Sequence, residues 1–232
     1  MLKREIKLTE DGSHTIFIPE LNEHYHSTHG AIQEAIHVYI NTGLRFTDKN
    51  PIRILEIGFG TGLNAYLSLV EAETNKRLIE YHSIERYPVE EDQLKVLNYP
   101  QQIDFKNTGL FNKLHEVKWN QMCKVSDNFS LKKIEGDLKK INFKDKYDLI
   151  YFDAFAPDIQ PELWSEEIFR KLYACSNTGA ILVTYCSKGS VKRALRSSGF
   201  EVKRLAGPPG KHHILRATKI EDFNFDDQSE EI

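Results

Sequence analysis

The segment Asp153-Ala154-Phe155-Ala156-Pro157 ends an apolar run, 147–152, with a carboxylate, an aromatic ring and a stiff turn. A carboxylate at a strand end can hold an amine, help it lose a proton and balance the positive charge that develops as the nitrogen gains a bond. Phe155 offers a flat face to a planar base, and Pro157 fixes the course of the loop. The plainer alternative is an Asp153 that caps a turn and a Phe155 that belongs to the core.

A second group surrounds three glycines, in Glu56-Ile57-Gly58-Phe59-Gly60-Thr61-Gly62-Leu63-Asn64. Glycines after a strand let the backbone turn sharply into a helix and leave space for a ligand where a side chain would collide. A phosphate-cradling Walker loop needs Gly-Lys-Ser/Thr, and Gly62 is followed by Leu63-Asn64, so that reading fails. A nicotinamide dinucleotide site prefers its third glycine one residue later and stays open as an alternative. S-adenosylmethionine has no phosphate; its site needs polar partners for an amino-acid end and a ribose. Glu56 is placed to accept from an ammonium. Glu85, 23 positions after Gly62, is placed to take two ribose hydroxyls, with Arg86 beside it. Asp137 is placed to receive an adenine amino group, with Leu138 beside it. Each acid alone reads equally as a solvated strand end. Their shared position at the C-terminal ends of successive strands favours a ligand site.

The elements that must hold these residues follow from apolar periodicity. Strand-like runs at 52–57, 81–84, 131–134, 147–152 and 181–185 alternate with helix-length stretches at 63–71, 89–97, 165–174 and 189–197, which predicts a parallel sheet. Two β-rich runs, 201–205 and 212–217, are joined only by Ala206-Gly207-Pro208-Pro209-Gly210-Lys211, too short a link for a parallel crossover, so they pair antiparallel. The expected fold is α/β, a seven-stranded, mostly parallel sheet with an antiparallel C-terminal hairpin; this is the layout of the Rossmann-like class I methyltransferases and favours that fold over an ordinary dinucleotide-binding one. Before it, residues 1–50 predict a small hairpin (6–8 and 15–18, turning at Asp11-Gly12) and a helix from Ala31 to the Gly43 stop. Tyr25, Ser27 and Glu34 are expected to line the cleft from there. The core spans 51–219, residues 98–130 read as irregular cover, and 220–232 form an acidic tail expected to be disordered.

At 232 residues, 40% hydrophobic and 28% charged, the chain fits one globular domain. No apolar run spans a bilayer and the first residues lack a secretory signal, so a cytoplasmic location without membrane contact is expected. Cys123, Cys175 and Cys186 suggest reduced core thiols. His24, His26 and His29 resemble a metal motif, but no further ligands complete a set, and no metal is expected. The net charge of −3 hides an asymmetry: from Thr184 to Lys219 nine lysines and arginines face one glutamate, a local +8. Lys188, Lys192, Arg193 and Arg196 fall at helical spacing, suited to tracking phosphates or forming a solvated face.

The glycine block, Asp153-Ala154-Phe155-Ala156-Pro157, Pro161-Glu162-Leu163-Trp164 and Ser83-Ile84-Glu85-Arg86-Tyr87-Pro88 together resemble the methyltransferases that complete 5-methylaminomethyl-2-thiouridine at the tRNA wobble position. These are the stand-alone, MnmD-like counterparts of the amino-terminal half of bifunctional MnmC. The resemblance runs from about residue 25 to residue 218. It implies that Asp153 contacts the substrate amine, that Phe155 lies against the modified base, and that Gly58, Gly60, Gly62 and Glu85 hold S-adenosylmethionine. It also implies an anticodon stem-loop as partner, with no flavin, because the family's flavin-dependent oxidase half has no counterpart motif here. Two positions depart from the pattern: Ala154 replaces a usual glycine, and Lys211-His212-His213 replaces a Lys-Arg-Glu run at which Lys211 is a substrate contact. Two other functions remain compatible with the residues, an aminopropyltransferase or small-amine methyltransferase of the same fold, and a non-enzymatic RNA-binding module.

Overall fold

The computed structural model describes residues 2–103, 106 and 109–220; most of the acidic tail lies outside them. Near the N-terminus, β1 (Glu5–Leu8) and β2 (His14–Ile18) pair antiparallel around Gly12, whose φ is +81°. The predicted hairpin gains a third strand, β3 (Glu23–His24), paired through Phe17 with His24 and Ile18 with Glu23. Two polar residues carry no alternation that sequence alone registers.

Helix α1 (Ala31–Ala35) does not run on as a regular helix. It widens into a π-helical stretch, Ile36–Asn41, in which the Thr42 amide donates to the His37 carbonyl five residues back. Such widening often accompanies functional sites, and here it carries Tyr39 into the core beneath the cleft. Next come β4 (Ile52–Ile57), α2 (Leu63–Asn75) and β5 (Ile79–Glu85). The predicted helix over 89–97 shrinks to one turn, α3 (Glu91–Leu94). Tertiary bonds explain this: Val96 offers its carbonyl to His14, while the Asn98 side chain accepts from the His14 amide and donates to the Gly12 carbonyl. The segment is thereby tied to the N-terminal sheet.

The chain continues through α4 (Tyr99–Gln102), α5 (Gly109–Glu116), β6 (Met122–Lys124), β7 (Phe129–Glu135), β8 (Tyr147–Phe152), α6 (Glu166–Ala174), β9 (Ser176–Thr184), α7 (Gly189–Ser197), β10 (Glu201–Ala206) and β11 (His213–Thr218). The main sheet has eight strands rather than seven, in the order β10-β11-β9-β8-β4-β5-β7-β6. The extra member is the three-residue β6, antiparallel at the edge against β7. The β4, β5, β7, β8 and β9 pairings are parallel, and β11 inserts antiparallel between β9 and β10.

Side chains on β8 alternate between two cores. Leu149 and Tyr151 pack with α1 and α2, whereas Ile150 and Phe152 pack with α6 and α7. The sheet is therefore covered on both faces, and ligands can reach it only at its edges. From β4 the chain winds to β5 and β7 on one side and later to β8 and β9 on the other. A crevice opens at such a switch point, above the C-terminal ends of the strands. Among the described residues no helix is long and apolar enough to cross a membrane.

Candidate active site

The glycine loop leaves β4 directly beneath the crevice. Gly58 has φ +93°, and a Cβ there would lie 2.5 Å from the backbone oxygen of Asp153, so strand β8 and the loop approach too closely for any side chain. Gly60, φ +50°, faces the Tyr25 ring; its amide donates to Glu85 Oε2 at 3.0 Å, while the Tyr87 amide donates to Oε1 at 2.8 Å. Glu85 is thus fixed at the end of β5, and each of its oxygens retains capacity for a second donor. Beyond it, Asp137 accepts from the Lys139 amide and pairs with Arg86 at 3.3 Å.

These residues line one cavity of about 1030 Å³, with Phe59, Asn64, Leu138, Tyr25, Ser27, Glu34, Asp153, Phe155 and Lys211 also on its wall. Several expected site residues stand elsewhere. Glu56 is wholly buried one layer behind the loop; Ser83 donates to its Oε2 at 2.6 Å, Oε1 has no hydrogen-bond partner, and burial pushes its pKa up to about 8. Thr61 is wholly buried too, bonded to His26 Nε2 at 2.8 Å and accepting from the Tyr99 hydroxyl at 3.2 Å. Gly62 begins α2 with φ +74°, under the His115 ring. Pro157 lies outside the wall, and Lys188 and Arg193 are exposed, Lys188 in a close ion pair with Asp158.

The reaction loop is held at almost every peptide group. The Asp153 amide donates to the Ile57 carbonyl at 3.0 Å, the Tyr185 hydroxyl to the Ala154 carbonyl at 2.9 Å, and Trp164 Nε1 to the Phe155 carbonyl at 2.8 Å. Gln160 Oε1 accepts from the Phe155 amide at 3.1 Å. Phe155 meets the edge of Tyr25, ring centroids 5.1 Å apart. The Asp153 carboxylate accepts from Asn64 Nδ2 at 2.8 Å, and desolvation raises its pKa to about 6 against the lowering influence of Tyr39 and Asn64. At neutral pH it is an anion held in place, available to a cationic amine.

Tyr39 and Tyr185 are site residues that sequence reasoning misses. Tyr39 has the look of a core aromatic at helical spacing, and nothing in its neighbourhood signals otherwise. Tyr185 follows β9 at the same sheet edge as the acids, so the rule that singles them out applies equally to it. The three histidines of the metal-like motif take separate partners: His24 packs on Phe17, His26 bonds Thr61 and His29 bonds Glu10. Among the described residues no three His, Cys, Asp or Glu side chains group to hold a metal.

An adenosyl ligand fits this donor set: glycines in which added Cβ atoms would collide, a fixed carboxylate at the end of β5 and a second acid at the end of β7. A family model described as S-adenosyl-L-methionine-dependent methyltransferase matches residues 105–220. The chain is 30% identical over 220 residues to the tRNA 5-methylaminomethyl-2-thiouridine biosynthesis bifunctional protein MnmC of Delftia acidovorans, covering 88% of this chain and 33% of that protein. It is 29% identical over 216 residues to the protein of the same name from Pseudomonas syringae, covering 87% and 32%. The chain therefore spans about a third of the length of these curated relatives. The crystal structure of MNMC2 from Aquifex aeolicus superposes with a TM-score of 0.79 at 26% identity, covering 99% of this chain and 75% of that one. Spermidine synthase from Thermotoga maritima, at 13% identity and a TM-score of 0.57, covers 97% and 77% and shares the fold alone.

Proposed function

Because the chain belongs to the S-adenosyl-L-methionine-dependent methyltransferases, we propose that it methylates the aminomethyl nitrogen of 5-aminomethyl-(2-thio)uridine at the tRNA wobble position, giving the methylaminomethyl product. The observation that carries the reading is the Asp153 carboxylate, oriented by Asn64 in the same cavity as Glu85 and next to the Phe155–Tyr25 ring pair. The MnmC likeness over nearly the whole chain supports the substrate.

When bound, S-adenosylmethionine supplies a methyl group on a positively charged sulfur. Gly58, Gly60, Glu85, Arg86, Asp137 and Leu138 are the residues to hold it, with Glu85 accepting from the ribose hydroxyls. Asp153 holds the incoming ammonium; once that nitrogen has given a proton up to solvent, the carboxylate accepts a hydrogen bond from the neutral amine, aims its lone pair and balances the charge that grows on nitrogen. With its pKa near 6 it is ionised where the reaction runs. Phe155 and Tyr25 grip the base drawn out of the anticodon loop, as aromatic side chains grip single-stranded bases elsewhere. The partner is the anticodon stem-loop of a cytoplasmic tRNA, and the exposed basic face of α7, with Lys188 and Arg193, is its phosphate surface.

The test is methyl transfer from labelled S-adenosylmethionine to tRNA with or without aminomethyl-uridine, followed by digestion to nucleosides. Label in methylaminomethyl-uridine, only with the first RNA, is the expected result. Label in neither, with polyamine or another small amine modified instead, overturns the proposal in favour of a small-amine transferase.

A further inference from the structure

Glu34 and Lys211 lie 177 positions apart in the chain and form a close ion pair inside the cavity, with side chains only 10% and 29% exposed. Burying two opposite charges adds little stability in itself, because the lost hydration offsets the attraction. The pair's connections indicate a use. Glu34, on α1, accepts from the Ser27 amide through its other oxygen at 2.8 Å. The Lys211 ammonium, in the turn between β10 and β11, sits 4.0 Å from the centroid of the Tyr185 ring. Tyr185 in turn donates to the Ala154 carbonyl, one peptide beyond Asp153.

Among the described residues, the charged and titratable groups that act on Asp153 are few. Tyr39 comes from the π-helical stretch, Tyr185 from the end of β9, and Glu56 and Tyr81 from β4 and β5. Burial raises the pKa of each of these four, which keeps them uncharged at neutral pH. Asn64 is neutral. Glu34 and Lys211 remain among the described residues, with effects on Asp153 that run in opposite directions.

We propose that Glu34 and Lys211 are a positioning pair for Asp153: through Tyr185 they steady the loop that carries it, and because the Lys211 ammonium is taken up by Glu34, Asp153 is the unpaired negative charge met by an incoming amine. The proposal rests on the amine-methylation reading for its purpose, but its physical content does not need RNA. Removing Lys211 alone leaves the Glu34 carboxylate without its cation in the cavity that also holds Asp153, which favours protonation of Asp153. Removing Glu34 alone leaves a bare ammonium that favours the anion yet repels a cationic acceptor.

The decisive experiment follows the Asp153 carboxyl by carbon-13 NMR through a pH titration, the signal assigned by its loss in D153N. K211M is expected to raise the midpoint by about one pH unit and E34Q to lower it by about as much. K211R, which keeps the charge, and the double variant K211M/E34Q, which removes both, are expected to return it close to the wild-type value. Neutral replacement of a whole buried pair is commonly tolerated, so the double variant guards against reading misfolding as electrostatics. Midpoints unmoved in both single variants, or a double variant no nearer wild type than either, overturn the proposal. If the midpoints shift as stated while the wild-type chain methylates no aminomethyl-uridine tRNA, the substrate reading falls and the pair's control of Asp153 stands. Where the chain is active, the acid limb of its kcat/KM profile is expected to move with the same midpoints.

Discussion

At the scale of single residues, Asp153 and Glu56 are two carboxylates that one strand pairing sets apart. Asp153 reaches the cavity and titrates near 6, whereas Glu56 is sealed behind the loop and titrates near 8. Asp153→Ala is expected to lower kcat by about two to four orders of magnitude while changing cofactor affinity far less, as kinetics beside calorimetry will read. Equal losses in both would mean that Asp153 serves the cofactor. In the wild type, kcat/KM should fall on the acid side with a midpoint near pH 6, as Asp153 gains its proton. Glu56 makes a separate prediction about stability. Its folded pKa lies above the ordinary value near 4.5, so between those two values the native chain keeps a proton that the unfolded chain releases. Stability therefore declines as pH rises from about 4.5 to about 8 and levels off above, as far as this residue governs it. Thermal melts of ligand-free Glu56→Gln across that range should lack this part of the decline; parallel curves for the two proteins would contradict it.

At the scale of elements, the glycine loop and the strand ends decide what can bind. Gly58→Ala is expected to push the Asp153 backbone, since the new Cβ meets its oxygen at 2.5 Å, and so to lose both cofactor binding and turnover. Gly60→Val adds bulk against the Tyr25 ring at a left-handed backbone position and should abolish cofactor binding; an unchanged Kd in titration calorimetry would show that the cofactor does not lie over this loop. The five parallel strands and the closing hairpin were legible in the sequence because each is an apolar run whose length and flanking turns mark it. The strands β3 and β6, of two and three residues, exist only because a longer neighbour offers its edge. The 89–97 stretch reads as helix, yet His14 and Asn98 bind it in another course. Among site residues, Asp153, Phe155, Glu85 and the glycines stood out by type and spacing. Tyr39 did not, because an aromatic four residues on from Ala35 at helical spacing reads as core and nothing else, and its sequence does not show that it lies beneath Asp153.

At the scale of the whole molecule, charge is divided rather than balanced. Arg193 and Arg196 lie exposed on α7, and Lys188 precedes it within reach of Asp158 in the segment that follows the reaction loop. Replacing Lys188 and Arg193 together by glutamine is expected to weaken tRNA binding and to reduce the slope of log affinity against log salt by roughly one for each phosphate deprived of its cation; an unaltered slope would move the phosphate surface elsewhere. The cavity draws on the full span of the fold, from Arg4, whose guanidinium holds the Tyr87 and Pro88 carbonyls, to Lys211 in the last hairpin turn. Synthesis on the ribosome meets these parts one at a time. A nascent chain that has extended past Asp153 owns the glycine loop and the acid but not the wall that Lys211 completes. Translation that halts before the β10–β11 hairpin thus yields a chain with its reaction loop unwalled, and the cavity is complete only once those two strands have been made.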